Sequence, residues 1–425
     1  MSETPETPEA APAYPVLAAP ADGIPDVIVD ERGLQRAADA VAAADGPVAI
    51  DAERAAGYRY GNRAYLVQLR REGAGTFLLD PIALPDLSPM QEAIGDAEWV
   101  LHAATQDLPC LAEVGMQPRA LFDTELGSRL AGLPRVGLAA VIEHYVGISL
   151  AKEHSAVDWS TRPLPEPWLT YAALDVEVLV EVRNRLRADL EQQGKLEWAL
   201  QDFAALTSFT GSAQRTEPWR RTSGMHRIKD KRAVARVREL WLTRDAIAQE
   251  RDTAPGRILP DAMIVELANS GPRTTEALQQ VGSNLQGASR SRARLAGRGT
   301  SRYAGRWLDA IERVAAMKDA DLPPATVRND APPPQRTWAD RNPEAAARLS
   351  FVRAALTDFA EQHHVPIENL ITPDTLRRVL WTPPKPLTDN AIRARLAELG
   401  ARPWQIDLVA PYILEAPDEP PATGE

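Results

Sequence analysis

Pro47-Val-Ala-Ile-Asp-Ala-Glu53 is an apolar run that ends in two carboxylates spaced two residues apart. Side chains on a strand alternate faces, so Asp51 and Glu53 project to the same side at the end of that run. Two runs of similar character follow, Ala64-Tyr-Leu-Val-Gln-Leu-Arg70 and Thr76-Phe-Leu-Leu-Asp80, separated by Gly-containing turns. Connections this short predict an antiparallel meander. A helix near 89–94, a strand at 99–102, a helix from Leu108, a strand at 121–122 and helices from Thr124 come next. Three antiparallel strands followed by alternating helices and strands predict a mixed α/β sheet.

Two more acids and a tyrosine join the pair. Asp107 stands where a helix begins, just after the strand at 99–102. Trp168-Leu-Thr-Tyr-Ala-Ala-Leu-Asp-Val-Glu-Val-Leu179 has a helical pattern, and residues four apart share a helix face, so Tyr171 and Asp175 present one surface. Each motif has a bland alternative. Asp-x-Glu recurs at Asp96, Asp175 and Asp189, a helix-start Asp is most often a cap, and a helix with a half-buried Tyr and a solvated Asp is ordinary. Only Asp51 follows an apolar strand core, where a carboxylate pair is partly desolvated and needs a compensating cation.

Phosphodiester cleavage requires an activated water and neutralised charge on the transferring phosphoryl group, and two hard cations about 3.5–4 Å apart do both. The expected cofactors are therefore two divalent cations, Mg2+ or Mn2+. Asp51 is expected to bridge them, with Glu53 and Asp175 on the cation that generates the nucleophile and Asp107 supporting the second, directly or through water. Tyr171 is expected to orient the attacking water without binding metal.

The chain has 425 residues, 44% hydrophobic, with a net charge of −11 and one cysteine. That length exceeds one ordinary core. No stretch approaches the roughly 20 continuous apolar residues of a membrane span, and the N-terminus lacks a basic region followed by an apolar one. A protein free of membranes is expected, and the lone Cys110, read as a small packed residue, fits a reducing cytoplasm. The six histidines lack metal-ligand spacing, and no Walker-type loop points to a nucleotide cofactor. The acidic total argues weakly against nucleic acid, but from Val281 to Leu308 there are arginines at 290, 292, 294, 298, 302 and 306 and no acid. Arg290, Arg292, Arg294, Arg298, Arg302 and Arg306 are therefore expected to contact phosphate, whereas Trp307, at helical spacing, is expected in a core.

Composition divides the chain. Residues 1–22 and 416–425 are expected to be tails, and 319–343, with Pro323-Pro324 and Pro332-Pro333-Pro334, a semi-rigid linker. Three bodies remain: an α/β domain at 23–215 and helical bundles at 216–318 and 344–415.

Asp51-Ala52-Glu53, the Asp107 region and Tyr171-x-x-x-Asp175 resemble the three exonuclease motifs of the DEDD superfamily, tyrosine subclass. His154-Ser-Ala-Val-Asp-Trp-Ser-Thr-Arg-Pro-Leu-Pro-Glu166 with Tyr171-Ala-Ala-Leu-Asp-Val is similar to the ribonuclease D family. Over about 25–210 the resemblance implies a ribonuclease H-like fold and a 3'-to-5' exoribonuclease that trims RNA 3' ends, tRNA precursors and other structured small RNAs among them. The region from Lys231 to Met317 resembles the helicase-and-RNase-D C-terminal (HRDC) domain, a helical nucleic-acid-binding module, and the last body looks like a diverged second copy. Two departures stand out: Ala52 where Thr is more usual, and no Asn before Asp107. Neither replaces a metal ligand, so they bear on rate and substrate preference. The competing readings are a DNA-directed 3'-to-5' exonuclease, separable by comparing RNA with DNA of one sequence, and a catalytically silent RNA-binding scaffold, which the presence of all five site residues disfavours.

Overall fold

A computed structural model describes residues 14–151, 156–211, 216–283, 297–326 and 330–417. In the first body the elements run β1 (Val16–Leu17), β2 (Val27–Ile28), α1 (Glu31–Ala42), β3 (Val48–Arg54), β4 (Ala64–Arg71), β5 (Gly75–Leu79), α2 (Ser88–Ile94), β6 (Trp99–Leu101), α3 (Leu108–Glu113), β7 (Leu121–Asp123), α4 (Thr124–Ala131), α5 (Leu138–Val146), β8 (Ser149–Leu150), α6 (Glu166–Glu177), α7 (Leu179–Gln192) and α8 (Leu196–Leu206). Six strands form one sheet in the order β2-β5-β4-β3-β6-β7, with β3, β4 and β5 antiparallel and β2, β6 and β7 each parallel to a neighbour. The expected meander and mixed sheet are present. β1, β2 and β8, of two residues each, carry too little pattern to be read from sequence.

β3 carries the acidic pair: beyond Ile50 it keeps pairing with β4 through Asp51↔Gln68 and Glu53↔Leu66, whereas its pairing with β6 stops at Ala49↔Val100. The two carboxylates thus lie within a strand whose other edge has just opened, and the opening forms the cleft. Within the stretch expected as the N-terminal tail, Val16–Leu17 pairs with Ser149–Leu150, and the Ala21 N–H donates to Glu177.

The two helical bodies share a backbone plan. Helix Lys231–Glu250 leads to a left-handed residue, Asp252, then to the short helix Pro255–Ile258, an extended Leu259 and helix Asp261–Ser270. Helix Pro343–His363 leads likewise to a left-handed His364, the short helix Ile367–Leu370, an extended Ile371 and helix Pro373–Trp381. In the second half of the expected linker, the Pro332 and Pro333 carbonyls accept from Arg377, and Trp338 is buried beside Trp381 at 4.9 Å. A tryptophan and arginine-satisfied carbonyls tie this proline-rich stretch to the last body.

Candidate active site

β3 and α6 bring the predicted residues together. Carboxylate oxygens of Asp51, Glu53 and Asp175 lie within 4.8 Å of one another. The Asp51 Oδ2 accepts from the Gln68 side chain at 2.9 Å, directly across the β3–β4 ladder. Tyr171 lies on the same cleft and hydrogen-bonds Asp175, its neighbour one helical turn on. The cleft, about 700 Å³, is also lined by Arg54, Gly57, Tyr58 and His102.

Asp107 occupies the position before α3, yet its side chain caps nothing. It is 3% exposed, hydrogen-bonds Asp51 and sits 3.5 Å from Arg54. The cap alternative fails for Asp107 and holds for Asp123, which accepts from the Glu125 and Leu126 amides at the start of α4. Asp123 does more than cap. Its two oxygens also accept from the Ala103 and Ala104 amides at 3.1 and 2.9 Å, pinning the turn that delivers Asp107. Ala103 in that turn has φ 60°, a left-handed conformation that Asn adopts more readily than Ala.

Burial raises the carboxyl pKa of Asp51. It raises those of Glu53 and Asp107 well above the ordinary range, reinforced for Glu53 by the charges of Asp51, Asp175 and Asp107. The Tyr171 hydroxyl is pushed up by burial and then by Asp175 and Glu53. Four acids converging in a poorly solvated cleft favour a bound cation, because it offsets the repulsion that otherwise holds protons on them. Every donor is a carboxylate oxygen, a set that suits Mg2+ or Mn2+ and not a thiophilic metal.

Several contributors escape a sequence reading. Arg54 enters the cleft because the register shifts between Glu53 and Arg54, an irregularity that re-aims a side chain. Gln68 did leave a signal: a fully buried polar residue at the centre of the apolar strand 64–70. His102 is held at Thr124 by a 2.9 Å contact, and burial lowers its pKa to about 4, so it lines the cleft as a neutral group. Cys110 is packed as expected, with burial pushing its thiol up to about 12.

The arginine stretch is partly described. Arg290, Arg292 and Arg294, like His154, lie outside the described residues. Arg298 and Arg302 are exposed, but Arg306 is paired with both oxygens of Glu250 at 2.9 and 3.1 Å. Acids absent from the local sequence are supplied by another helix. Trp307 is fully buried, as its spacing predicts.

Residues 25–191 match the family model described as 3'-5' exonuclease, 234–311 the HRDC domain, and 331–416 the 3' to 5' exonuclease C-terminal domain. The ribonuclease D of Granulibacter bethesdensis is 30% identical over 303 residues, covering 69% of this chain and 70% of that protein. That of Gluconacetobacter diazotrophicus is 30% identical over 344 residues, covering 79% and 81%. The chain belongs to the ribonuclease D family. It is accordingly a 3'-to-5' exoribonuclease, a hydrolase of phosphodiester bonds. A crystal structure of a Bifidobacterium adolescentis protein is 39% identical with a TM-score of 0.83, covering 94% of this chain and 99% of that one. Escherichia coli RNase D, 24% identical, shares the fold with a TM-score of 0.64 over 88% and 98% of the two chains. The ribonuclease D module extends past the nuclease sheet into both helical bodies, and the C-terminal match begins inside the stretch expected as linker. Among the described residues no helix is long and apolar enough to cross a membrane.

Proposed function

We propose that this ribonuclease D removes nucleotides from RNA 3' ends by a two-metal mechanism, with 3'-extended tRNA precursors and other structured small RNAs as substrates. The observation that carries the reading is the convergence of Asp51, Glu53 and Asp175 within 4.8 Å, with Asp107 hydrogen-bonded to Asp51. Asp51, Glu53 and Asp175 would hold one Mg2+ or Mn2+, and Asp51 with Asp107 the second. Bound divalent cations supply a deprotonated water and neutralise charge on the phosphoryl group. The chain's own groups do the rest. The Tyr171 hydroxyl, fixed by Asp175, orients the attacking water. Arg54 keeps Asp107 turned toward Asp51 rather than toward the amides of α3. Gln68 fixes the rotamer of Asp51 from across the ladder. The middle module would hold the RNA body, with Arg298 and Arg302 exposed for phosphate and Arg306 largely offset by Glu250. The single buried thiol fits a reducing compartment, and we place the enzyme in the cytoplasm.

The test is digestion of a 5'-labelled, 3'-extended tRNA and a DNA strand of equal length with Mg2+, Mn2+ or chelator. Stepwise shortening of the RNA, dependence on the cation and weaker action on DNA are expected. Asp51→Ala is expected to lower the rate by about 10³-fold or more while leaving the circular dichroism spectrum intact. Full activity in chelator, or in Asp51→Ala, would overturn the two-metal assignment.

A further inference from the structure

The loop that follows β3, residues 55–63, forms one wall of the cleft through Gly57 and Tyr58. The same loop is held by the middle helical module. The Ala254 amide donates to the Tyr58 carbonyl at 3.0 Å, and the Tyr60 hydroxyl donates to Asp245 at 3.2 Å. Asp252, left-handed at the corner of the module, accepts from the Tyr60 amide at 3.3 Å and lies 3.5 Å from Arg63. Thus the wall of the catalytic cleft and the corner of the HRDC module are one joint.

Arg257 differs from the other arginines at this joint. Arg54 is paired with Asp107, and Arg59 and Arg63 face Asp252. Arg257 is exposed, its guanidinium lies 4.1 Å over the Tyr58 ring, and its Nε donates to the Gly57 carbonyl at 2.6 Å. Among the described residues no carboxylate pairs with it. A guanidinium anchored by Nε and stacked on an aromatic ring keeps its two terminal nitrogens available at a fixed place, with little rotamer freedom left to lose on binding. Tyr58 is itself braced, its hydroxyl donating to the Ala156 carbonyl at 3.1 Å. In the other helical body, the residue at the same place in the short helix is Asn369, which has no charge. The cationic feature is therefore particular to the module that holds the cleft-wall loop, and an arginine stacked on the cleft-lining Tyr58 is a geometry suited to a phosphodiester oxygen.

We infer that Arg257, laid flat on Tyr58, is a phosphate-binding subsite at the cleft mouth that grips the RNA backbone upstream of the nucleotide being removed. The inference rests on the exonuclease reading of the cleft, and it makes the substrate site a composite of two domains. Specificity for a strand longer than the reacting dinucleotide then originates in the middle module.

The experiment compares the full-length protein with Arg257→Gln and Arg257→Lys. Binding of a fluorescent single-stranded RNA decamer is measured by anisotropy in chelator over a series of salt concentrations. Turnover of the decamer and of a dinucleotide is measured with Mn2+. Arg257→Gln is expected to raise the decamer Kd about tenfold and to lower the salt slope by about one. It should raise KM far more than it lowers kcat, with a several-fold smaller penalty on the dinucleotide, which has no phosphate beyond the one cut. Arg257→Lys should restore part of the affinity and most of the salt slope. Unchanged Kd and salt slope in Arg257→Gln would overturn the inference, as would an equal loss of kcat on both substrates, the mark of a loop latch only. Absence of turnover by the unsubstituted protein would strike the exonuclease reading instead, and the anisotropy result would still decide the subsite.

Discussion

The middle and C-terminal helical bodies repeat one scheme and dock with the same corner, yet the attachments differ in kind. In both, the left-handed residue after the long first helix meets the nuclease domain: Asp252 at Tyr60, Arg59 and Arg63, and His364 at Gly132. The middle body encloses an apolar core of its own, to which, among the described residues, the nuclease domain adds only Tyr60. Among the described residues the C-terminal body has none apart: Val352, Leu356, Val365 and Trp404 belong to the same buried cluster as Leu130, Leu186 and Phe203. Trp198 and Trp404 stack across that joint at 4.8 Å, and buried Lys195 donates to the carbonyls of Leu130 and His363. Apolar burial makes the C-terminal joint part of the fold, whereas polar contacts to a loop make the middle joint a local attachment beside the site. The difference teaches that a repeated module is assigned its role by the surface it lands on.

Trp404→Ala carries the largest expected effect, about 3–5 kcal/mol, from the lost stack with Trp198 and the cavity left behind. Thermal unfolding followed by circular dichroism should show the nuclease and C-terminal signals falling together. A C-terminal transition that melts alone, with the nuclease transition unmoved, would break the contrast.

Gly132→Ala comes next. At φ 87° a Cβ is strained, and it would meet the His364 carbonyl oxygen at 2.5 Å, so a loss of about 2–3 kcal/mol is expected in denaturant unfolding. Stability equal to the parent would mean the corner is not seated on Gly132.

Asp202, 3.3 Å from Arg402 at the same joint, has its pKa raised to about 6 by burial, with Arg402 pulling it down. A carboxyl whose folded pKa exceeds its unfolded value holds extra protons in the native state. Its contribution is therefore full below about pH 4 and is lost as pH rises through about 6, up to about 1.4 kcal/mol per pH unit. Asp202→Asn should flatten this decline in a pH series of unfolding curves; an unaltered slope would remove Asp202 as its source.

Tyr60→Phe, at the middle joint, has the smallest expected effect: within about 1 kcal/mol, because one part-buried hydrogen bond to Asp245 is lost. A loss above about 3 kcal/mol by the same unfolding measurement would show the middle body to be joined as firmly as the last.

Much of the nuclease sheet was readable because its strands are long enough for alternation to speak: β3, β4 and β5 begin within a residue of the expected runs. The shared faces of the candidate site residues were readable for a related reason. Spacings of two on β3 and four on α6 are local geometry, and local geometry is written in the order of residues. Asp107 was readable as a candidate but not as a non-cap, since whether its carboxylate turns to the α3 amides or to Asp51 depends on Arg54, brought in by a register shift. In the arginine stretch one contact was hidden for the same cause: Glu250 lies 56 residues before Arg306 and pairs with it through space. In the proline-rich stretch the contacts to the last body are not announced by composition, because polyproline carbonyls accept hydrogen bonds as well as any, and Arg377 supplies the donors.

By itself the order of residues determined strands β3 to β7 of the nuclease body, the shared faces of Asp51 with Glu53 and of Tyr171 with Asp175, and the helical character of both later bodies. Only the tertiary structure decided that these two faces meet, that Asp123 pins the turn carrying Asp107, and that one helical body merges into the nuclease core while its sibling braces the cleft wall. Periodicity is a property of neighbours along the chain, but convergence depends on which surfaces exclude water together, and that is set by the whole molecule at once.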